Sequence, residues 1–101
     1  MKSKKYKLRS EVWLYPGASA AWHFISIPPK QSEEIKKLFG DHARGWGSLP
    51  IVAQIGKTSW KTSIFPDKKT GAYLLPLKAD VRRKENLLAG EAVTFSIVIQ
   101  S

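Results

Sequence analysis

Residues 44–69 read RGWGSLPIVAQIGKTSWKTSIFPDKK, and the second half of this stretch decides the fold. The apolar run Pro50–Ile55 is predicted as one strand, and Thr58–Phe65, with its alternating side chains, as the next. Only Gly56 and Lys57 separate them, and a two-residue turn that contains glycine connects neighbouring antiparallel strands. The stretch therefore predicts a β-hairpin.

Four further strands are predicted around this hairpin. Residues 6–15 and residues 92–99 alternate apolar and polar side chains, which is typical of strands with one buried face. Residues 22–27 are rich in aromatic and β-branched side chains. Residues 72–77 follow a turn and are predicted as another strand, and Pro16-Gly17 indicates a turn or short loop after the first strand.

Two short helices are predicted between the strands. The first follows Pro28-Pro29, with Ser32 as its N-cap and Gly40 in the left-handed position after its last turn. The second runs near Asp80–Asn86 and has Asp80 as its cap. Each is short enough to lie against one end of a β structure.

Two passages share one order of features. Residues 25–30 (ISIPPK) and residues 73–78 (YLLPLK) each end a strand with proline and lysine, and each precedes a short helix, a glycine and another strand. Such a repeat predicts a pseudo-twofold barrel with a helix at each end, although coincidence between short units is an alternative. We expect a mainly β fold: a small closed barrel of about six strands and two short helices at residues 6–101, after a basic tail at residues 1–5.

The length and composition exclude several classes of protein. At 101 residues the chain forms one domain, and the absence of cysteine excludes disulfides, thiolate chemistry and a zinc ribbon. No apolar run approaches the roughly 18 residues of a membrane span, and no apolar signal segment follows the basic start. We therefore expect a cytoplasmic protein without a membrane partner.

The chain is strongly basic. Its net charge is +9, from 17 basic and 8 acidic side chains, and this excess favours association with phosphates or anionic surfaces. Five of the basic residues lie within the first nine positions, so the remainder carries 9 − 5 = +4. A solvated basic end is the simpler interpretation of that cluster.

Catalytic motifs are missing from the sequence. His23 lies on a predicted strand and His42 in a loop, without the spacing of a metal site or a catalytic triad. Gly45-Trp46-Gly47 lacks the lysine and the helix start of a phosphate-binding loop. Carboxylates are few and scattered, so paired acid–base catalysis is not expected. We predict a protein that is not an enzyme and needs no metal or cofactor.

The predicted ligand-binding residues follow from the mixture of flat rings and polar groups at residues 44–69. Hydroxyls on both sides of Thr58–Phe65 require that one side stays wet or lines a polar cavity. Trp46 and Trp60 could then stack on a ligand while Arg44 holds an anion. The predicted groove consists of Arg44, Trp46, Ser48, Trp60, Lys61 and Asp67. Alternatively, the two indoles close the barrel, and Arg44 pairs with Asp67 or caps a backbone carbonyl.

The last 30 or so residues resemble the half-barrel of AbrB-type regulators and MazE-type antitoxins. The matching residues are Pro76, Lys78, Val81, Arg82, Gly90 and Glu91. Those proteins bind DNA as dimers, so the resemblance implies that the basic residues of the second helix contact phosphates. With the turn lysines, the predicted nucleic-acid contacts are Lys57, Lys68, Lys69, Lys78, Arg82 and Arg83.

A closer resemblance covers almost the whole chain. Its motifs are Trp13 with Pro16-Gly17, residues 22–24 (WHF), residues 44–48 (RGWGS), residues 56–68 and residues 73–76 (YLLP). They resemble an uncharacterised bacterial domain family, sometimes joined to a YdeI/OmpD-associated, bacteriocin-protection-type domain. The resemblance implies a small closed β-barrel and no established activity.

Two functional hypotheses remain open at this point. The barrel binds a small ligand or a protein in the Trp/Arg-lined groove, or it binds nucleic acid through its basic surface. Binding to phosphates should weaken steeply with salt, whereas binding in an aromatic pocket should hardly respond. Either hypothesis is compatible with a monomer or a homodimer.

Overall fold

The computed structural model describes residues 3–15 and 22–100, so the turn predicted at Pro16-Gly17 lies outside the described residues. The elements, in chain order, are β1 (Ser3–Leu14), β2 (His23–Ser26), α1 (Pro29–Phe39), β3 (Leu49–Ile55), β4 (Thr58–Pro66), β5 (Tyr73–Leu77), α2 (Ala79–Glu85) and β6 (Ala92–Gln100). Two single 3₁₀ turns, Gly40–His42 and Gly45–Gly47, connect α1 to β3.

The six strands form a closed antiparallel barrel in the order β1-β2-β5-β4-β3-β6, which confirms the predicted fold class. The predicted hairpin is confirmed as well, since Ile55 pairs with Thr58 across Gly56 and Lys57. If β1, β2 and β3 are exchanged with β4, β5 and β6, respectively, every strand keeps the same kind of neighbours around the barrel. The barrel therefore has the pseudo-twofold pattern that the repeat predicts, with its centre in the β2–β5 ladder.

The core fills the barrel interior and is completed by the helices. Alternate strand residues such as Val12, Ile64 and Ile97 are fully buried inside. From α1, Ile35 and Phe39 join this cluster, and Val81 joins it from α2. Helix and strand side chains thus share one hydrophobic core.

The start of α1 differs from the prediction. The helix begins at Pro29, a residue suited to the first turn because proline lacks the N–H that would stay unbonded there. Ser32 is not the cap but a buried residue inside the helix, where its hydroxyl donates to Ile27 O (2.9 Å) and accepts from Tyr73 N (3.1 Å). Gly40 is right-handed (φ −57°) and starts a 3₁₀ turn, so its predicted left-handed conformation was wrong.

The predicted cap of α2 was also wrong. The helix begins at Ala79 after Lys78, and Asp80 lies in its first turn, where its carboxylate accepts from the Val81 N–H (2.9 Å). The left-handed residue that ends α2 is Asn86, with φ 53°. Asparagine tolerates this conformation better than most residues that carry a side chain.

The basic start of the chain belongs to the barrel from Ser3 onward. Where the sequence predicted a tail at residues 1–5, Lys4 and Lys5 lie in β1 and pair with β6; residues 1 and 2 lie outside the described part. The Lys4 ammonium also forms an ion pair with Glu34 on α1. That hydrogen bond raises the pKa of Lys4.

Candidate functional site

The structure separates the two indoles of the predicted groove. Trp46 has φ 65° between two glycines, and its side chain is 90% exposed. Trp60 lies on the inward side of β4 and packs against the core, where its Nε1 is buried without a hydrogen-bond partner. The two rings therefore do not form opposite walls of one groove.

The polar members of the predicted groove lie in local turns or on the outer wall. Arg44 is exposed, and its backbone N–H donates to Ser48 O (2.8 Å). Asp67 organises the next turn by accepting from Lys69 N and Thr70 Oγ1. Within residues 3–15 and 22–100 the sole ion pair within 4.0 Å is Lys4–Glu34, so Arg44 does not pair with Asp67. Lys61 is exposed on the outward side of β4.

The predicted nucleic-acid contacts are dispersed over the surface. Lys57 lies in the β3–β4 turn, Lys68 and Lys69 lie in the turn after β4, and Arg83 is exposed on α2. The structure brings two of them together, because Lys78 and Arg82 line the same concavity.

Sequence reasoning missed a cluster of five aromatic side chains on the outer wall of β1, β2 and β4. We call it the aromatic face, and it consists of Trp13, Tyr15, Trp22, Phe24 and Phe65. Phe24 is its centre: its ring centroid lies 5.4 Å from Trp13, 6.0 Å from Tyr15, 6.4 Å from Trp22 and 6.0 Å from Phe65. The Trp22 and Phe65 rings meet Phe24 edge to face, at 71° and 88°.

Strand register explains how these residues meet. Trp13 pairs directly with Phe24, and the Tyr15 N–H donates to Trp22 O (2.9 Å), which continues the β1–β2 pairing past the strand ends. Directly paired residues point to the same side of a sheet. Trp13 is further held by a hydrogen bond from its Nε1 to Ser26 Oγ (2.9 Å).

Burial divides the aromatic face into a base and an open part. Phe24 is only 4% exposed, whereas Tyr15 is 49% and Trp22 is 59% exposed. The sequence contains one sign of this cluster: Trp13 and Tyr15 occupy outward positions of β1, where polar residues are otherwise expected. The contribution of Phe65 could not be read in this way, because it depends on which strands are neighbours in the barrel.

A concavity of about 350 Å³ adjoins the aromatic face. Its lining consists of Trp22, His23, Phe24, Phe65, Pro76, Leu77, Lys78, Ala79 and Arg82. Rings and apolar groups form one side, and α2 with the residue before it supplies two cations. Arg82 Nη1 lies 3.4 Å from His23 Nε2, which must accept because a guanidinium has only donors. The Arg82 Nε is buried without a hydrogen-bond partner.

The opposite outer wall, formed by β1, β6, β3 and β4, is polar, and we call it the basic face. Register aligns its outward residues in two rows across all four strands. One row is Lys7, Ser96, Gln54 and Ser59, and the other is Lys5, Val98, Val52 and Lys61. Arg9 extends this face and lies 3.4 Å from Thr94 Oγ1. Among the described outward residues of these strands, Glu11 is the single acid.

Two further features are absent from the described part of the chain, residues 3–15 and 22–100. No three His, Cys, Asp or Glu side chains among these residues are arranged so that they could hold a metal ion. No helix there combines the length and apolarity that crossing a bilayer requires.

These features define a small, mainly β barrel domain with one aromatic and one basic outer wall. Residues 9–97 match the model of the family described as "Domain of unknown function (DUF1905)", and the chain belongs to this family. This confirms the resemblance to an uncharacterised domain family, while the links to YdeI-type and AbrB-type proteins are not shown. Comparison with curated proteins gave no significant match.

Proposed function

We propose that this barrel is a non-enzymatic binding domain that holds an apolar, planar part of a small molecule or of a partner protein against the aromatic face. The observation that carries this proposal is the exposure of Trp22, which is 59% accessible beside a concavity of about 350 Å³. Ligand sites are typically concave, largely apolar and supplied with a few polar groups. The concavity has this composition.

The geometry of the aromatic face supports stacking. Phe24 packs against one edge of the Trp22 ring and restricts its motion. The ring therefore loses less conformational freedom than a fully mobile side chain when a ligand covers its open side. Covering about 100 Å² of exposed ring contributes about 2.5 kcal/mol at the usual area coefficient, before the costs of association. Several such contacts are needed for micromolar affinity.

The lining of the concavity supports binding without catalysis. It contains one imidazole and two cations and no carboxylate. His23 Nε2 already faces Arg82, and the concavity therefore lacks an acid–base pair of the kind that hydrolytic sites use.

Replacing Trp22 by Ala tests the proposal, and Trp46→Ala is the matched control because it removes an even more exposed indole elsewhere. We expect that aromatic fragments detected by saturation-transfer NMR bind the wild type and the Trp46→Ala variant but not Trp22→Ala. Unchanged thermal melting would show that Trp22→Ala is folded.

Two results would reject this location. Fragments that bind Trp22→Ala as well as the wild type would remove the aromatic face from the site. Loss of binding in Trp46→Ala alone would instead locate the site in the loop before β3.

A second candidate function, binding of nucleic acid, is favoured by the basic face. Its rows place Lys5, Lys7 and Lys61 on one outer wall, with the hydroxyl and amide groups of Ser96, Gln54 and Ser59 in the row of Lys7. Cations and neutral donors in this arrangement suit a phosphate backbone. These lysines are not the residues of the turns and of α2 that the sequence predicted as nucleic-acid contacts.

Charge reversal distinguishes the placements. Anisotropy of labelled single- and double-stranded DNA would be measured at low and at physiological salt for three double variants: Lys5→Glu with Lys7→Glu, Lys68→Glu with Lys69→Glu, and Arg82→Glu with Arg83→Glu. We expect at least tenfold weaker binding for the first pair only. No binding of the wild type at low salt would reject this function.

A further inference from the structure

We infer that the concavity beside the aromatic face selects an anionic ligand, specifically a planar aromatic ring that carries one carboxylate. The inference rests on the proposed function and names the class of ligand. A free aromatic acid and the C-terminal aromatic residue of a peptide both present this chemistry.

The concavity has a positively charged wall. Lys78 and Arg82 line it from one side, and no acid belongs to its lining. Arg82 is half-buried and forms no ion pair with any acid in the described part of the chain. The Arg82 guanidinium and the Lys78 ammonium therefore give this wall of the concavity a positive charge.

The acids of α2 are engaged elsewhere. Asp80 accepts from the Val81 N–H of its own helix (2.9 Å). Glu85 accepts from Thr58 Oγ1 (2.7 Å), next to the β3–β4 turn. Both carboxylates accept from protein donors, and neither forms an ion pair with Arg82, so the helix itself does not neutralise this guanidinium.

The hydrogen bonding of Arg82 indicates the same partner. Its Nη1 has an acceptor in His23, but its Nε–H is shielded from water and has no acceptor. Buried donors in proteins nearly always have a partner. Because this N–H is closed to water, a carboxylate in the concavity can accept from it only after a change of the Arg82 rotamer, and its two oxygens then match two adjacent N–H groups of the guanidinium.

The remaining walls determine what the carboxylate is attached to. Phe24, Phe65 and Pro76 are flat or rigid apolar surfaces, and Trp22 stands at their edge. A volume of about 350 Å³ lies at the small end of the range for ligand sites, which suits one single or fused ring. A ring on this wall would lie within reach of both cations.

The test compares acid and amide pairs that differ only in charge. Calorimetric titrations of the wild type would use 2-naphthoate against 2-naphthamide, and the dipeptide Gly-Trp against Gly-Trp amide. We expect about tenfold tighter binding of the acid in at least one pair, since a hydrogen-bonded ion pair is involved. The pair that shows the preference identifies the source of the ligand.

Variants of neighbouring arginines locate the effect. Arg82→Gln should reduce the preference for the acid to about twofold or less, whereas Arg83→Gln removes the same charge from an exposed position of the same helix and should leave the preference intact. If Arg82→Gln does not fold, Arg82→Lys should keep a weakened preference, because it retains the charge but not the fork of donors.

The outcomes separate the inference from the proposed function. Equal affinity for acid and amide, with both lost in Trp22→Ala, would overturn the inference and leave the aromatic binding site in place. A preference that is equally reduced by Arg83→Gln would also overturn it, because the effect would then come from the overall charge. If neither pair binds, the inference fails, and the fragment screen alone decides the proposed function.

Discussion

The aromatic face and the basic face are outer walls of one barrel, yet they differ in strand pairing as well as in chemistry. On the basic side, β1 pairs with β6 continuously from Ser3 to Glu11. On the aromatic side, the β4–β5 ladder pairs Phe65 and Pro66 and the β1–β2 ladder pairs Val12 to Leu14, each continued by one backbone hydrogen bond beyond the strand ends. Long ladders coincide with a polar wall and short ladders with an aromatic one.

This difference has a physical reason. A long ladder satisfies its backbone groups and tolerates solvated side chains on its outer surface. Short ladders leave less cooperative hydrogen bonding, so side-chain packing has to hold the strands together. On the aromatic face the buried ring of Phe24 packs between these strands, whereas the ring of Trp22 stays mostly exposed.

The largest expected effect comes from Phe24→Ala. Removing this buried ring from the centre of the aromatic cluster should lower the free energy of unfolding by about 3–5 kcal/mol. Trp22→Ala is the control on the same face and should cost less than about 1 kcal/mol, because the ring is mostly exposed. Urea denaturation of both variants measures the difference; equal losses would contradict the division into a base and an open part.

Ser32→Ala should have the next largest effect, although it changes a single oxygen. The buried hydroxyl links α1 to the end of β2 and the start of β5, and its loss leaves the Tyr73 N–H without that acceptor. We expect a loss of about 1–3 kcal/mol in unfolding free energy. In Ser48→Ala, which removes a local bond to Gly45 O near the surface, the loss should stay below about 1 kcal/mol. A neutral Ser32→Ala would show that the short ladders do not need this link.

Gly56→Ala tests the turn at the end of the basic side. Gly56 has φ 56°, and a Cβ there would lie 2.2 Å from Glu85 Oε1. The backbone strain and the displaced carboxylate should together cost about 2 kcal/mol. Gly71→Ala is a matched control, because Gly71 has φ 77° but open space around it, and it should cost about 1 kcal/mol. Equal melting temperatures for the two variants would exclude a contribution from Glu85.

The smallest effect on stability is expected for the double variant Lys5→Gln with Lys7→Gln. Both side chains are exposed on the outer wall, so the unfolding free energy should change by less than about 0.5 kcal/mol. The same variant should weaken binding of DNA if the basic face contacts phosphates. A clear loss of stability in urea denaturation would instead assign these lysines to the support of the β1–β6 ladder.

The strands and the barrel were predictable because their patterns are local. Alternation over residues 6–15 and 92–99, and the turn at Gly56-Lys57, depend on neighbours in the sequence. The helix starts were not predictable from capping preference alone: Ser32 has the chemistry of a cap, but its hydroxyl bonds to Ile27 and Tyr73 instead. A tertiary partner 41 positions away outweighed the local preference.

The candidate site was harder to predict for the same reason. Trp46 and Trp60 are close in sequence, yet one is on the surface and the other packs on the core. Trp13, Phe24 and Phe65 are far apart in sequence, and only the register of β1 with β2 and the order of strands in the barrel bring them together. Composition can indicate that aromatic residues are numerous but not which of them share a wall.

The interleaved strand order has a consequence for the origin of this domain. Four of the six ladders join a strand of the first half to a strand of the second. Neither half could satisfy its backbone groups by itself, so a primitive chain of half the length would have folded only by entwining with a twin. A single chain of two such halves is free to make them different, and here Trp13, Tyr15, Trp22 and Phe24 of the aromatic face lie in the first half and Phe65 in the second.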